Sequence, residues 1–406
     1  MLLKAPRVLL PLVLVFGCAT PPAPARDADL AKIHAIIEPM RGGMSNDMRG
    51  ATPALMDVKH GLREWIESRL REFATDGDEH VFAAQLNQDL QQADLFCSAA
   101  MDPKKDRCDR SPDAGWNATG YIEAVRLERH EGLLIVITSV GLDCGEDDSA
   151  YAYEWQRNRW QRIWSYEQPI ALGSDYRPTH VNGVRVSSPD QRTHERLLLL
   201  LGQGTGCTSN WLPIYFRLWR LHPDGDVKLL VDGAEMAFFS RDPPIEGSVS
   251  DHDATVEFRV GSLDPDFHSY EAVRRYEVEG DEVMWRQPVA LGPRGFVEEW
   301  LRRGWSEASD WTAQASRAAL QSSHAKLHSA YDKMGRYIGD HTQHCRKSAD
   351  LWQVGIAFNG VEAFFLVRWQ PPYRLQMVAV SAAPRADCDQ PDASADADRT
   401  LFQDWR

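Results

Sequence analysis

Residues 168–173 read QPIALG and residues 287–292 read QPVALG. The two hexapeptides differ only at Ile170 and Val289, one β-branched residue for another. Worked backwards from each, the chain repeats one succession of strands and turns. The first unit runs GYIEAVRL (120–127), LLIVITS (133–139), a Gly/Asp-rich loop, SAYAYEW (149–155), a polar turn and WQRIWSY (160–166). The second runs VNGVRVS (181–187), RLLLLLG (196–202), a GTGCTSN loop, IYFRLWRL (214–221), the turn HPDGD and VKLLVDG (227–233). The third runs EGSVSDH (246–252), ATVEFRVG (254–261), an SLDPDF loop, YEAVRRYEV (270–278), the turn EGD and EVMWR (282–286). Alternating apolar residues bounded by Gly, Asp and Asn are the pattern of half-buried strands joined by tight turns. Cys144 and Cys207 fall in the same loop of successive units, a coincidence that a chance hexapeptide match does not produce.

Four-strand units of about 60 residues predict a mainly β fold with flanking helices, either β-propeller-like or built of antiparallel meander repeats. Three units cannot close a ring. A fourth sheet is offered by LWQVGIAF (351–358), the Asn359-Gly360 turn, VEAFFLVRW (361–369) and YRLQMVAVS (373–381), with a preceding segment to complete it. The alternative is an open antiparallel β-sandwich made of the same meanders.

Helices flank the repeats. Thr52-Pro53 sets an N-cap and a first-turn proline ahead of a stripe formed by Leu55, Val58, Leu62, Ile66, Leu70 and Phe73. Phe82, Leu86 and Leu90 mark a second helix. Leu320, His324, Leu327, Tyr331, Met334 and Ile338 step by four and three, predicting helix through residue 342. The resulting division is 29–114 helical, 115–292 three β-repeats, 293–345 helical, 346–384 C-terminal strands packing on the repeats, and 385–406 an acidic tail.

Hydrophobic content of 43% and charged content of 26% fit a soluble globular chain. A formal charge of −14, with 59 acids against 45 bases, excludes a generic nucleic-acid binder. At the N-terminus, Lys4 and Arg7 precede the apolar run VLLPLVLVF, too short to span a bilayer and suited to a signal h-region. It ends in Val15-Phe16-Gly17-Cys18, which resembles the lipobox of bacterial lipoprotein precursors. The resemblance covers about the first 20 residues. It implies removal of residues 1–17, lipidation of Cys18, a Pro/Ala tether over 18–28 and a membrane anchor through acyl chains. Ala19 after the cysteine implies an outer-membrane lipoprotein of the cell envelope, facing the periplasm or the surface. An exported chain forms disulfides. Six cysteines remain, namely Cys97, Cys108, Cys144, Cys207, Cys345 and Cys388. Cys97 with Cys108 is the local pair, Cys144 and Cys207 should lie within about 7 Å, and Cys345 with Cys388 is left.

Chemistry-bearing motifs are sparse. RLLLLLGQGTG (196–206) has the spacing G-x-G-x-G and is followed by a strand with Pro213, so no helix N-terminus exists for a dinucleotide. No G-x-S-x-G, S-x-x-K or P-loop lysine occurs. His324 and His328 lie one helical turn apart, with His341 and His344 following, a drawable zinc set. Asp143, Glu146, Asp147 and Asp148 crowd a segment that reads as a solvated acidic loop, although such oxygens also suit calcium. Asp251, Asp253, Asp264 and Asp266 cluster near His252 and His268, and paired carboxylates run glycoside hydrolysis. With no catalytic residue identified and no cofactor required, zinc or calcium aside, the leading expectation is a non-enzymatic envelope binding or scaffold protein for proteins or glycans. The alternative is a metal-assisted or carboxylate-based hydrolase acting on envelope or extracellular polymers.

Overall fold

The computed structural model describes residues 24–41, 52–96, 121–142, 145–167, 179–204, 211–238, 244–261, 269–332, 338–358 and 361–391. Three helices come first, α1 (Pro24–Arg41), α2 (Thr52–Leu70) and α3 (Glu79–Gln92). The stripe foreseen on α2 is buried along its whole length, as are Phe82, Leu86 and Leu90 of α3. Each such side chain withdraws about 1.5–3 kcal/mol of apolar surface from water. Helix α1 was not anticipated: it begins at Pro24, inside the expected tether, and buries Leu30, Ile33 and Ile37 against its neighbours. Asp78 caps α3 by accepting from the backbone N–H groups of His80 and Val81.

The first sheet is the meander β1 (Ile122–His130), β2 (Leu133–Leu142), β3 (Gly145–Gln156) and β4 (Arg159–Glu167). The second is β5 (Thr179–Val186), β6 (Arg196–Gly204), β7 (Trp211–Leu221) and β8 (Val227–Phe238). The third is β9 (Ile245–Val249), β10 (Asp253–Gly261), β11 (Ser269–Glu279) and β12 (Glu282–Arg286). Helices α4 (Pro293–Arg302), α5 (Trp305–Ala308) and α6 (Arg317–Asp332) follow. The last sheet comprises β13 (Ile338–His344), β14 (Leu351–Phe358), β15 (Val361–Gln370), β16 (Arg374–Ser381) and β17 (Gln390–Pro391), in the order β16-β15-β14-β13-β17.

The repeat is real at the level of backbone irregularities. In the first pair of strands, the register shifts at Ile122/Ala124, at Val181/Gly183 and at Gly339/His341. In the last pair it shifts at Ala152/Tyr153, Leu218/Trp219 and Leu366/Val367. The first, second and fourth sheets thus carry one bulge in each outer strand pair. A bulge bends a strand and re-aims a side chain.

The sheets do not close into a ring, so the propeller-like reading is corrected in favour of open meanders. The reason lies in what covers the first sheet. Its outer face packs on α1–α3, where Val125, Leu127, Val136, Tyr151 and Tyr153 join Trp65 and Ile66. Its inner face meets the second sheet through Ile135, Ile137, Ala150 and Ala152 against Val184, Leu198 and Leu200. The second sheet's other face meets the third through Leu199, Leu201 and Phe216 against Val256 and Phe258. Helices α4–α6 then lie between the third sheet and the fourth, around Trp300, Phe365 and Met377. The cores follow one another through these layers, and helices occupy the first sheet's outer face, where a closing blade would have to sit.

The helix expected to continue to residue 342 ends at Asp332, and Ile338–His344 is instead the strand that completes the last sheet. The QPVALG segment is a joint. Gln287 uses both ends of its side-chain amide on Leu375, donating Nε2 to its carbonyl at 2.9 Å and accepting its N–H at 2.7 Å. QPIALG lies outside the described residues, as do Cys18, Cys97, Cys108, Cys144 and Cys207. Cys345 and Cys388 are joined by a disulfide that pins the C-terminal segment to the last sheet.

Candidate functional site

Alternation along β3 separates its side chains into two sets. Tyr151 and Tyr153 face the helices, whereas Ala150 and Ala152 face the second sheet. Extended backwards, the same alternation sends Asp147 toward α2 and sends Glu146 and Asp148 toward β5. The contacts agree. Asp147 meets Lys59 of α2 at 2.5 Å, while Asp148 accepts the backbone N–H of Val181 at 2.7 Å. Asp147 and Asp148 are fully buried. The expectation of a solvated acidic loop is therefore corrected: Glu146, Asp147 and Asp148 are strand residues paired to Gly141, Val140 and Ser139 of β2.

His180, second residue of β5, completes the centre. Its Nδ1 lies 3.0 Å from Glu146 Oε2 and 3.2 Å from Asp148 Oδ2. The ligand atoms of Glu146, Asp148 and His180 all lie within 4.8 Å of one another. Asp148 sits at the floor, and Glu146 and His180 are each 29% exposed at the mouth. Arg126 approaches Asp148 Oδ2 at 3.6 Å and donates to the Val181 carbonyl at 3.0 Å. Asp148 Oδ1 is buried and has no hydrogen-bond partner. A buried carboxylate oxygen left in that state is costly unless something fills it.

Glu123 is the fourth member. It lies at the β1 bulge, where Ile122 and Ala124 pair with consecutive residues of β2 and leave it without a register partner. From there it hydrogen-bonds Glu146 on β3, across the intervening strand. Burial, followed by the adjoining Glu146 carboxylate, pushes the Glu123 carboxyl up to about 8. Burial acts the same way on Glu146, but hydrogen bonds from His180 and Glu123 overcome it and hold that group down at about 2. His180 is pulled up to about 10, because hydrogen bonds to Asp148 and Glu146 outweigh its burial. In the metal-free protein at neutral pH the centre holds a protonated Glu123, two carboxylates and an imidazolium.

A second group, Asp190, Asp251 and His252, also has ligand atoms within 4.8 Å of one another. It is largely exposed, and Asp190 is already engaged by the N–H groups of Arg192 and Thr193 and by the Thr193 hydroxyl. This is ordinary turn chemistry. Asp253 pairs with Arg275 at 3.4 Å, and Asp264, Asp266 and His268 lie outside the described residues.

The four histidines of the expected zinc set are placed differently. His324 is buried in contact with Trp300 and Trp305 and donates Nε2–H to the Trp300 carbonyl at 2.9 Å. His328 donates Nδ1–H to the Leu301 carbonyl at 2.6 Å, and His344 donates to Ala349 at 3.0 Å. Helix termini and turns thus take the nitrogens that a metal would need. His341 lies on β13. Among the described residues, the convergent ligand groups include none of these four. A polar cleft of about 460 Å³, lined by Glu154, Gln156, His194 and His222 among others, opens at the far end of β3 and holds no convergent ligand set.

No family model matches this chain, and no curated protein does so either. Among solved structures it is similar to a "Glycoside hydrolase" with 10% identity and a TM-score of 0.20, covering 70% of this chain and 69% of that one. It is likewise similar to the structure of a complex of BT0996 with RGII, with 10% identity and a TM-score of 0.20, covering 70% of this protein and 71% of the other. Likenesses of that size contribute nothing to the assignment. The buried centre does. A passive scaffold has no use for an inward-facing set of cation ligands backed by a proton-holding carboxyl, and the expectation of a non-enzymatic binding protein is corrected on that ground.

Proposed function

We propose that this protein is a metal-assisted hydrolase whose centre is Glu146, Asp148 and His180, with Glu123 as its proton donor. The observation that carries the reading is the convergence of three ligand atoms within 4.8 Å around a buried, partnerless oxygen of Asp148. Two carboxylates and one imidazole suit a divalent ion of the zinc or manganese kind. When bound, such an ion polarises a substrate oxygen and acidifies water. The chain's own residues supply the rest. Asp148 and Glu146 neutralise the cation, and His180 gives up its proton to take part, which makes loading pH-dependent. Glu123, protonated at neutral pH, hands its proton to the leaving group.

Purely carboxylate-based glycoside hydrolysis is disfavoured by geometry. Its two carboxyl groups stand about 5–9.5 Å apart so that sugar and water fit between them, whereas Glu123 and Glu146 share a hydrogen bond. The lipobox resemblance places the enzyme in the bacterial envelope, anchored through Cys18, with periplasmic or extracellular polymers as substrates.

The test is a panel of chromogenic esters, phosphoesters and amides, assayed after chelation and after repletion with zinc or manganese. Hydrolysis that returns with metal and is absent in Asp148→Asn is expected. Activity indifferent to both metal and Asp148 sinks the reading.

A further inference from the structure

We infer that Lys59 of α2 is a positioning residue for this metal centre, acting from behind the ligand strand; the inference rests on the metal reading above. Lys59 and Asp147 are both fully buried, with Nζ 2.5 Å from Oδ2. A buried ion pair is a weak source of stability, because desolvating two charges offsets their attraction and an apolar pair of equal volume packs as well or better. Stability alone therefore does not account for a lysine at the centre of an otherwise apolar helix stripe, with Leu55, Val58, Leu62 and Ile66 buried around it.

Position does account for it. Asp147 lies between the ligands Glu146 and Asp148 and points the opposite way along the pleat. Three acids in succession at the start of a buried strand repel one another. Lys59 draws the middle carboxylate onto α2 and leaves the two flanking it directed at His180. The other polar contacts of α2 with this sheet engage β4 or the far part of β3. His60 and Arg63 pair with Glu167, while Glu67 reaches Arg162 and Tyr153. Among the described residues, Lys59 is the helix cation that contacts the Glu146–Asp148 run. Groups that orient metal ligands from outside the coordination sphere commonly alter affinity by about 10- to 100-fold when removed.

The experiment compares wild type, K59R, K59M and the double variant K59M/D147L, each full-length and chelated before use. Folding is followed by circular dichroism, zinc affinity by calorimetry, and ligand geometry by the visible spectrum of added cobalt. Wild type is expected to bind one ion. K59M/D147L, which leaves no unpaired buried charge, is expected to fold yet bind about 10- to 100-fold more weakly with an altered cobalt spectrum. K59R, which restores a cation, is expected to recover most of the affinity. If K59M fails to fold, the double variant decides. A folded K59M/D147L with wild-type affinity and spectrum overturns the positioning role and leaves the metal centre standing. A wild type that binds no ion overturns both.

Discussion

Two buried ionic clusters occupy this fold, and they are built in opposite ways. The first is the Glu123, Glu146, Asp148 and His180 centre between the first and second sheets. The second joins β8, β11 and α4 and contains Glu235, Glu299, Arg274, Arg302, Arg303 and Tyr270. In the second, every carboxylate oxygen is taken. Glu235 Oε1 accepts from Arg274 and Arg303, and its Oε2 from Arg302. Glu299 Oε1 accepts from Tyr270, Arg274 and Arg302, and its Oε2 meets Arg274 at 3.1 Å. Three guanidiniums surround two carboxylates. Though burial opposes it, their charge holds Glu235 down at about 2. In the first cluster the surplus is carboxyl: one acid leans on another, and Asp148 Oδ1 is left bare. A saturated cluster is a fastener, and an unsaturated one is a receptor for a cation.

That contrast breaks most visibly on stability. Arg274→Met leaves Glu235 and Glu299 partly unpaired in the interior and is expected to lower unfolding free energy by about 3–5 kcal/mol. Zinc affinity should be unchanged by it. Denaturant titration and calorimetry read the two quantities separately. A loss below about 1 kcal/mol, by the same yardstick, would put the two clusters on one footing.

Asp148→Asn should do the reverse. The amide oxygen still accepts from Val181, so metal-free stability should move by about 2 kcal/mol at most. Zinc affinity should fall by at least about 100-fold. An Asp148→Asn protein that unfolds readily yet binds zinc normally would mark this cluster as a second fastener.

A smaller effect concerns pH. The folded Glu123 holds its proton up to about 8, against 4.5 ordinarily. Its contribution to stability is thus fully present below 4.5 and fades as pH rises through 8. Relative to Glu123→Gln, metal-free wild type should lose stability between those limits. Paired denaturation curves at the two ends check this, and a pH-independent difference contradicts it. Glu235 has the opposite sign. Its contribution is present above 4.5 and disappears as pH falls through about 2. The smallest change belongs to the exposed group: Asp251→Asn should alter stability by less than about 0.5 kcal/mol and leave zinc affinity alone.

The meanders were legible because their apolar alternation is strong and their turns carry Gly, Asp and Asn. Ring closure was not, since whether a sheet's outer face meets another sheet or a helix depends on partners distant in sequence. Strand β13 was hidden because Met334 and Ile338 happen to continue the period of α6. Of the centre, Glu146 and Asp148 were seen but read as solvated. Carrying the alternation of SAYAYEW back by three residues places Asp148 and Glu146 on the face of Ala150 and Ala152, which is buried. His180 and Glu123 carried no local signal, because a cross-sheet contact and a β-bulge brought them to the site.

The most direct measurement is anomalous diffraction at the zinc edge from crystals of the full-length protein soaked in zinc. The account predicts a peak bounded by Glu146, Asp148 and His180 that vanishes in Asp148→Asn. Zinc found only at Asp190, Asp251 and His252, or nowhere, would contradict it.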